Sequence, residues 1–154
     1  KRMSRKLIFI LALLSLSSLS GPTLAEGGYN SDRNSPLAPI EDLIQDEKYQ
    51  EAISELQKLL KETPTDADML NLLAYSQRKL QRFDEALVNY QKALDIEPEH
   101  RGANEYLGEL YLQLGQLDKA QERLQVLDKA CFFGCDEFDK LEEAIKTYQS
   151  QNAS

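Results

Sequence analysis

The sequence predicts an all-α solenoid of stacked helical hairpins, and three observations carry that prediction. Apolar residues recur at helical spacing over most of the chain, the pattern returns at a fixed interval, and prolines punctuate it at that same interval. Tyr49, Ala52, Ile53, Leu56, Leu59 and Leu60 fall at i, i+3, i+4, i+7, i+10 and i+11, one stripe of an α-helix. Phe83, Ala86, Leu87, Tyr90, Ala93 and Leu94 repeat that spacing, and Pro98 answers Pro64. A fixed period of roughly 34 residues marks an array in which each unit buries its apolar face on its neighbours.

The first element stands apart from the array. Residues 1–25, KRMSRKLIFILALLSLSSLSGPTLA, open with Lys1, Arg2, Arg5 and Lys6, run apolar from Leu7 to Leu14, and close on Thr23-Leu24-Ala25. A basic start, a short apolar run and small residues before the break are the marks of a secretory signal peptide, cleaved here after Ala25. The run is shorter than the roughly 20 residues a membrane span needs. No cysteine follows it, so a lipidated N-terminus is not expected. The expected location is therefore outside the cytoplasm, in the periplasm of a Gram-negative bacterium.

Losing that segment changes the charge. The whole chain carries a net −8, and without the four basic groups of residues 1–25 it has 14 basic and 26 acidic residues, a net −12. Nucleic acids and anionic membranes attract Lys and Arg, so neither is an expected partner once the signal is removed. Residues 26–38, rich in Gly, Asn, Ser and Pro, read as a flexible linker.

The helical domain is expected over 39–149, with repeats at about 39–64, 65–98 and 99–131 and a capping helix at about 136–149. Pro36 and Pro39 shorten the first helix to about IEDLIQDE. Thr65-Asp66-Ala67-Asp68 reads as a capping box after Pro64. In the third repeat Leu107, Leu110, Tyr111 and Leu114 keep the stripe, Ala86 and Ala120 are small where paired helices cross, and Gly115 suits the turn between them.

These residues resemble the tetratricopeptide repeat, whose pattern is Trp-x2-Leu-Gly-x2-Tyr, then Ala-x3-Phe, then Pro. The third repeat carries Leu107-Gly108, Tyr111, Ala120 and Leu124; the second carries Leu73-Ala74, Ala86, Tyr90 and Pro98. There is no Trp, and Gln77 stands where a Tyr is expected. The resemblance implies a concave groove lined by the first helix of each pair. Carried onto this chain, the groove positions are Asp68, Asn71, Tyr75 and Arg78, then Gly102, Glu105, Glu109, Leu112 and Gln113. Tyr75, Asn71 and Arg78 would grip an extended peptide or helix of a partner protein, and Glu105 and Glu109 would favour a basic segment of it. Family members that clamp a C-terminal carboxylate use Lys, Asn and Arg at certain groove positions. Only Asn71 answers that set, so such a clamp is not expected.

The two cysteines sit where the third proline of the series would fall. Phe132 occupies that place within Cys131-Phe132-Phe133-Gly134-Cys135, after which Phe138, Leu141, Ile145 and Tyr148 resume an apolar stripe. Three readings compete for Cys131 and Cys135. A disulfide locking the turn is favoured by an exported chain with two cysteines, and Gly134 supplies the freedom the short loop needs. The alternatives are a soft-metal site, such as copper held by two thiolates with His100 on the same edge, and a redox pair. Cys-x-x-Cys in a βαβ setting, the redox signature with a mechanism behind it, is absent. Phe132 and Phe133 are expected to pack into the junction.

Nothing points to catalysis. No phosphate-binding glycine loop, nucleophile elbow or zinc-protease helix motif is present, and one histidine leaves acid–base chemistry without a candidate. No cofactor or metal is expected. The function expected is that of a non-enzymatic adaptor, with periplasmic copper or thiol-redox handling by Cys131 and Cys135 as the alternative.

Overall fold

The computed structural model describes residues 35–153, so the expected signal segment and most of the linker lie outside the described residues. Within them the chain forms seven α-helices: α1 (Ala38–Gln45), α2 (Tyr49–Glu62), α3 (Ala67–Lys79), α4 (Phe83–Ile96), α5 (Arg101–Gln113), α6 (Leu117–Ala130) and α7 (Asp136–Asn152). The pairs α1/α2, α3/α4 and α5/α6 are antiparallel hairpins, and α7 lies across α5 and α6.

Each hairpin turns in the same way. Glu47, Gln81 and Gly115, at equivalent positions of the three repeats, hold φ of 58°, 60° and 72°. The amides that follow, of Lys48, Arg82 and Gln116, donate to the carbonyls of Leu43, Gln77 and Tyr111. A left-handed residue followed by this closure is the Schellman helix end. Gly115 is the one of the three that adopts this conformation without a Cβ penalty.

The second helices, α2, α4 and α6, are each 14 residues long. Pro64 and Pro98 stop the first two, because a proline two residues past the helix excludes the preceding residue from α geometry. α6 stops at the same length without a proline, capped by Cys131. The cysteine turn therefore does the work of the missing Pro.

The first helices are started by side chains. Asp66 Oδ1 accepts from the Met69 amide at 2.8 Å, so Asp66 caps α3, one residue later than the expected box at Thr65. Thr65 lies outside the helix start, where its hydroxyl cannot reach the orphan amides that Asp66 already serves. His100 Nδ1 accepts from the Ala103 amide at 3.1 Å and caps α5. Because Nδ1 is the acceptor, the neutral ring carries its proton on Nε2, which faces Asp68 Oδ1 at 2.9 Å.

The core follows the repeat. Ala52, Ala86 and Ala120 are wholly buried where helices cross, with Leu56, Tyr90 and Leu127 beside them. Gln77, in place of the expected Tyr, is buried and ties α3 to α4 by accepting from Asn89 Nδ2 at 2.8 Å and donating to Glu85 at 3.3 Å. Gly108 lets α7 approach closely: a Cβ there would stand 2.5 Å from a methyl of the fully buried Leu141.

At the α6–α7 junction Cys131 and Cys135 form a disulfide, with Cα atoms 5.6 Å apart. Gly134 supplies φ of 86° with open space around it. The expectation that Phe132 and Phe133 fill the junction is overturned, for they are 85% and 98% exposed. Closing the loop through sulfur takes Cys131 into the core, packs Cys135 against it, and leaves the two residues at the turn's apex in solvent.

Candidate functional site

The first helices α3 and α5 run side by side, and their contacts decide which groove residues reach solvent. Asn71, on the second turn of α3, is covered by α5: a Cβ on Gly102 would lie 3.1 Å from its amide nitrogen. Glu105, at the equivalent place on α5, is covered in turn and is 3% exposed. Neither is available to a partner in this arrangement, which corrects the expectation that both line the groove. Placing successive first helices in contact buries that position in α3, and the packing of α7 on α5 buries it in the last repeat. The amide nitrogen and oxygen of Asn71 find no hydrogen-bond partner among the described residues.

Arg78 and Glu109 are likewise committed within the chain. Arg78 Nη2 lies 2.7 Å from Glu109 Oε2, bridging α3 and α5, and the arginine is 7% exposed. Burial pushes the Glu105 carboxyl up to about 8; Lys140 opposes that shift, while Glu109 and Glu137 add to it. At neutral pH Glu105 is thus mainly uncharged and Glu109 is neutralised by Arg78. The charge argument for a basic partner segment loses both of its residues.

What reaches solvent is different. Asp68 and Gln113 are exposed, Tyr75 and Glu109 are half-buried, and Gly102 and Leu112 are buried. Tyr75 lies at the centre of an aromatic row, 6.4 Å from the Tyr49 ring on α2 and 4.8 Å from the Tyr106 ring on α5. Arg78 sits 5.5 Å from the Tyr75 centroid and 5.7 Å from that of Tyr106. The Lys79 ammonium lies 5.9 Å from the Tyr49 centroid and 5.6 Å from that of Tyr75. Cations over ring faces at these distances are attracted by the ring quadrupole and hold the rings in place. The row crosses three successive hairpins, a preformed strip with apolar faces and phenolic edges.

Tyr49, Lys79 and Tyr106 are absent from the groove positions that the repeat pattern assigns. Tyr49 reads in sequence as part of the α2 stripe, and the place equivalent to Tyr75 in the next repeat belongs to Glu109, not to Tyr106. The signal that finds Tyr106 is an aromatic pair spaced nearly one helical turn short of the period.

The cysteines make no site of this kind. Their sulfurs are bonded to each other, so a two-thiolate metal site or a dithiol would require the bridge to be reduced first. Both ring nitrogens of His100 are engaged, by Ala103 and Asp68. Among the described residues no three His, Cys, Asp or Glu are grouped to hold a metal ion, and no helix is long and apolar enough to cross a membrane.

Comparison with known proteins agrees with this architecture. The described fold is similar to the type III secretion translocator chaperone SycD of Yersinia enterocolitica, with a TM-score of 0.66 and 16% identity over 76% of this chain and 83% of that one. It is similar to PcrH, solved in complex with the chaperone-binding region of PopD, with a TM-score of 0.63 and 20% identity over 75% and 87% of the two chains. SycD in complex with a peptide of the translocator YopD aligns with a TM-score of 0.62 and 18% identity over 74% and 86%. At such identities the likeness speaks for the fold alone. No curated protein matches the sequence. The tetratricopeptide repeat model matches residues 43–88 and 77–130, more than half of the chain, and the chain belongs to that family.

Proposed function

We propose that the chain is a non-catalytic interaction module that holds an extended peptide or a helix of a partner protein against its concave face. The observation that carries this is the Tyr49–Tyr75–Tyr106 row, which crosses three hairpins on helices of a repeat stack. Tyrosine offers large contact area at low entropic cost, and fixing the rings before binding removes part of the ordering penalty. Apolar side chains of the partner lie on the ring faces, while Gln113 and the phenolic edges meet its polar groups. Support by analogy comes from PcrH and SycD, solved with segments of PopD and YopD. Action outside the cytoplasm, in the periplasm of a Gram-negative bacterium, is part of the proposal. It rests on the signal-like residues 1–25 and on a disulfide that suits an oxidising compartment.

The test is a selection from a displayed library of random dodecapeptides on the folded protein, followed by calorimetric titration of enriched peptides. Tyr75→Ala is expected to weaken them about tenfold or more, as loss of an aromatic anchor does at interfaces. Peptides that bind Tyr75→Ala as well as the wild type, or a selection that enriches none, would overturn the proposal.

A further inference from the structure

The turn between α6 and α7 exposes apolar side chains further than any other part of the described residues. Gly134 donates its amide to the Cys131 carbonyl at 2.7 Å, closing a turn whose two central residues are Phe132 and Phe133. At 85% and 98% they are the most exposed large apolar side chains among the described residues. Their rings meet edge to face, with centroids 5.0 Å apart and planes at 89°, so the two present one compact knob. Nothing in the fold asks for phenylalanine here. Central turn positions are served by small polar residues, and two phenyl groups left in water are a cost without a folding return.

The mounting is as specific as the display. The disulfide spans the turn, with Cys131 in the core and Cys135 packed against it, so the knob stands on a rigid base. A surface aromatic pair whose backbone is already fixed loses little freedom on docking. The flanks are net acidic: Asp128, Asp136, Glu137 and Asp139 lie close to the turn in sequence, against Lys129 and Lys140.

We propose that the Phe132–Phe133 turn is a second docking element, inserting as a single aromatic knob into an apolar pocket of a partner protein whose rim is basic. The ring pair specifies the pocket and the acidic flanks specify its border. Those acids would repel an anionic lipid surface, and they would meet their own like charges on a second copy of this chain. The knob is separate from the tyrosine row, so either surface can fail while the other stands.

Phe133 replaced by p-benzoyl-phenylalanine, in the full-length chain irradiated in intact cells, tests this directly. The expected result is an adduct to one protein, with the crosslinked peptide mapping to an apolar pocket bordered by Lys or Arg. Cys131→Ser/Cys135→Ser should lower its yield at least threefold. Adducts to lipid, to a second copy, to residues 1–34 of the same chain or to many unrelated proteins would overturn the proposal, as would no adduct. With the captured partner purified, Phe132→Ala/Phe133→Ala should weaken binding about 30-fold, the scale of an interface anchor pair. A loss below threefold contradicts it. Because both side chains are in solvent, the double variant is expected to melt with the wild type.

Discussion

Arg78 on α3 and Glu109 on α5 join two neighbouring hairpins through a 2.7 Å ion pair, and the arginine is almost wholly buried. Both residues look in sequence like groups offered to a partner. In the fold they hold the concave face together. Arg78 also lies over the rings of Tyr75 and Tyr106, so the pair shapes the aromatic row without being its contact surface.

Breaking that pair from one side should be costly. Arg78→Ala leaves Glu109 half-buried without its cation, and removing one partner of a buried pair costs about 3–5 kcal/mol. Glu109 keeps some solvent contact, so about 2–4 kcal/mol is expected in urea unfolding. A double-mutant cycle with Glu109→Ala should return a coupling of at least about 1 kcal/mol. Additive losses would show that the pair is incidental.

Glu105 should make stability depend on pH. Its carboxyl titrates near 4.5 in the unfolded chain and near 8 in the folded one. Between those values the native state keeps a proton that the unfolded state has released, so stability falls as pH rises through the window and levels off above it. One pKa unit corresponds to about 1.4 kcal/mol, so the gap between 4.5 and about 8 sets an upper bound of about 5 kcal/mol on the whole effect. Glu105→Gln cannot ionise. Urea unfolding at pH 5 and pH 9 should show it gaining on the wild type at the higher pH, and equal slopes for the two would refute the assignment.

Gly108 should resist substitution although it lies inside a helix. Alanine is worth about 1 kcal/mol over glycine in a helix interior. Its methyl would stand 2.5 Å from the Leu141 side chain, which is fully buried and has little room to yield. Overpacking of about 1–3 kcal/mol should win, so that Gly108→Ala loosens α7. Amide exchange along 136–152 reports this: faster exchange there than in α3 and α4 is expected, and unchanged exchange would mean that Leu141 adapts.

Opening the Cys131–Cys135 bridge should cost little and act locally. A loop this short gives about 2 kcal/mol by chain entropy. Thermal melts with and without reductant should differ by a few degrees, with both forms folding cooperatively. Loss of all helix on reduction would show that the bridge carries the fold.

The hairpins were legible because their residues obey one period. Ala52, Ala86 and Ala120 are evenly spaced, face the core in every copy, and announce themselves by that register. The site was less legible because contacts between neighbouring first helices keep another interval. Asn71 meets Gly102, Tyr75 meets Tyr106, Arg78 meets Glu109 and Asp68 meets His100, and every partner falls just before the position equivalent by repeat. Two side-by-side helices touch at residues offset by nearly one turn from their equivalent positions, so aligning repeats pairs the wrong partners. Phe132 and Phe133 failed for a different reason. Apolar character argues for burial, but a short loop closed by sulfur can turn only two of its corners inward, and the cysteines took them.

On the proposed function, a partner chain lies along the tyrosine row of the concave face. Amide chemical-shift mapping of the protein with a library-selected dodecapeptide tests it most directly. Perturbations are expected to centre on Tyr75, Lys79, Tyr106 and Gln113, with the outer helices α4 and α6 quiet. Perturbations centred on α4 and α6, with Tyr75 and Tyr106 unmoved at saturation, would contradict it.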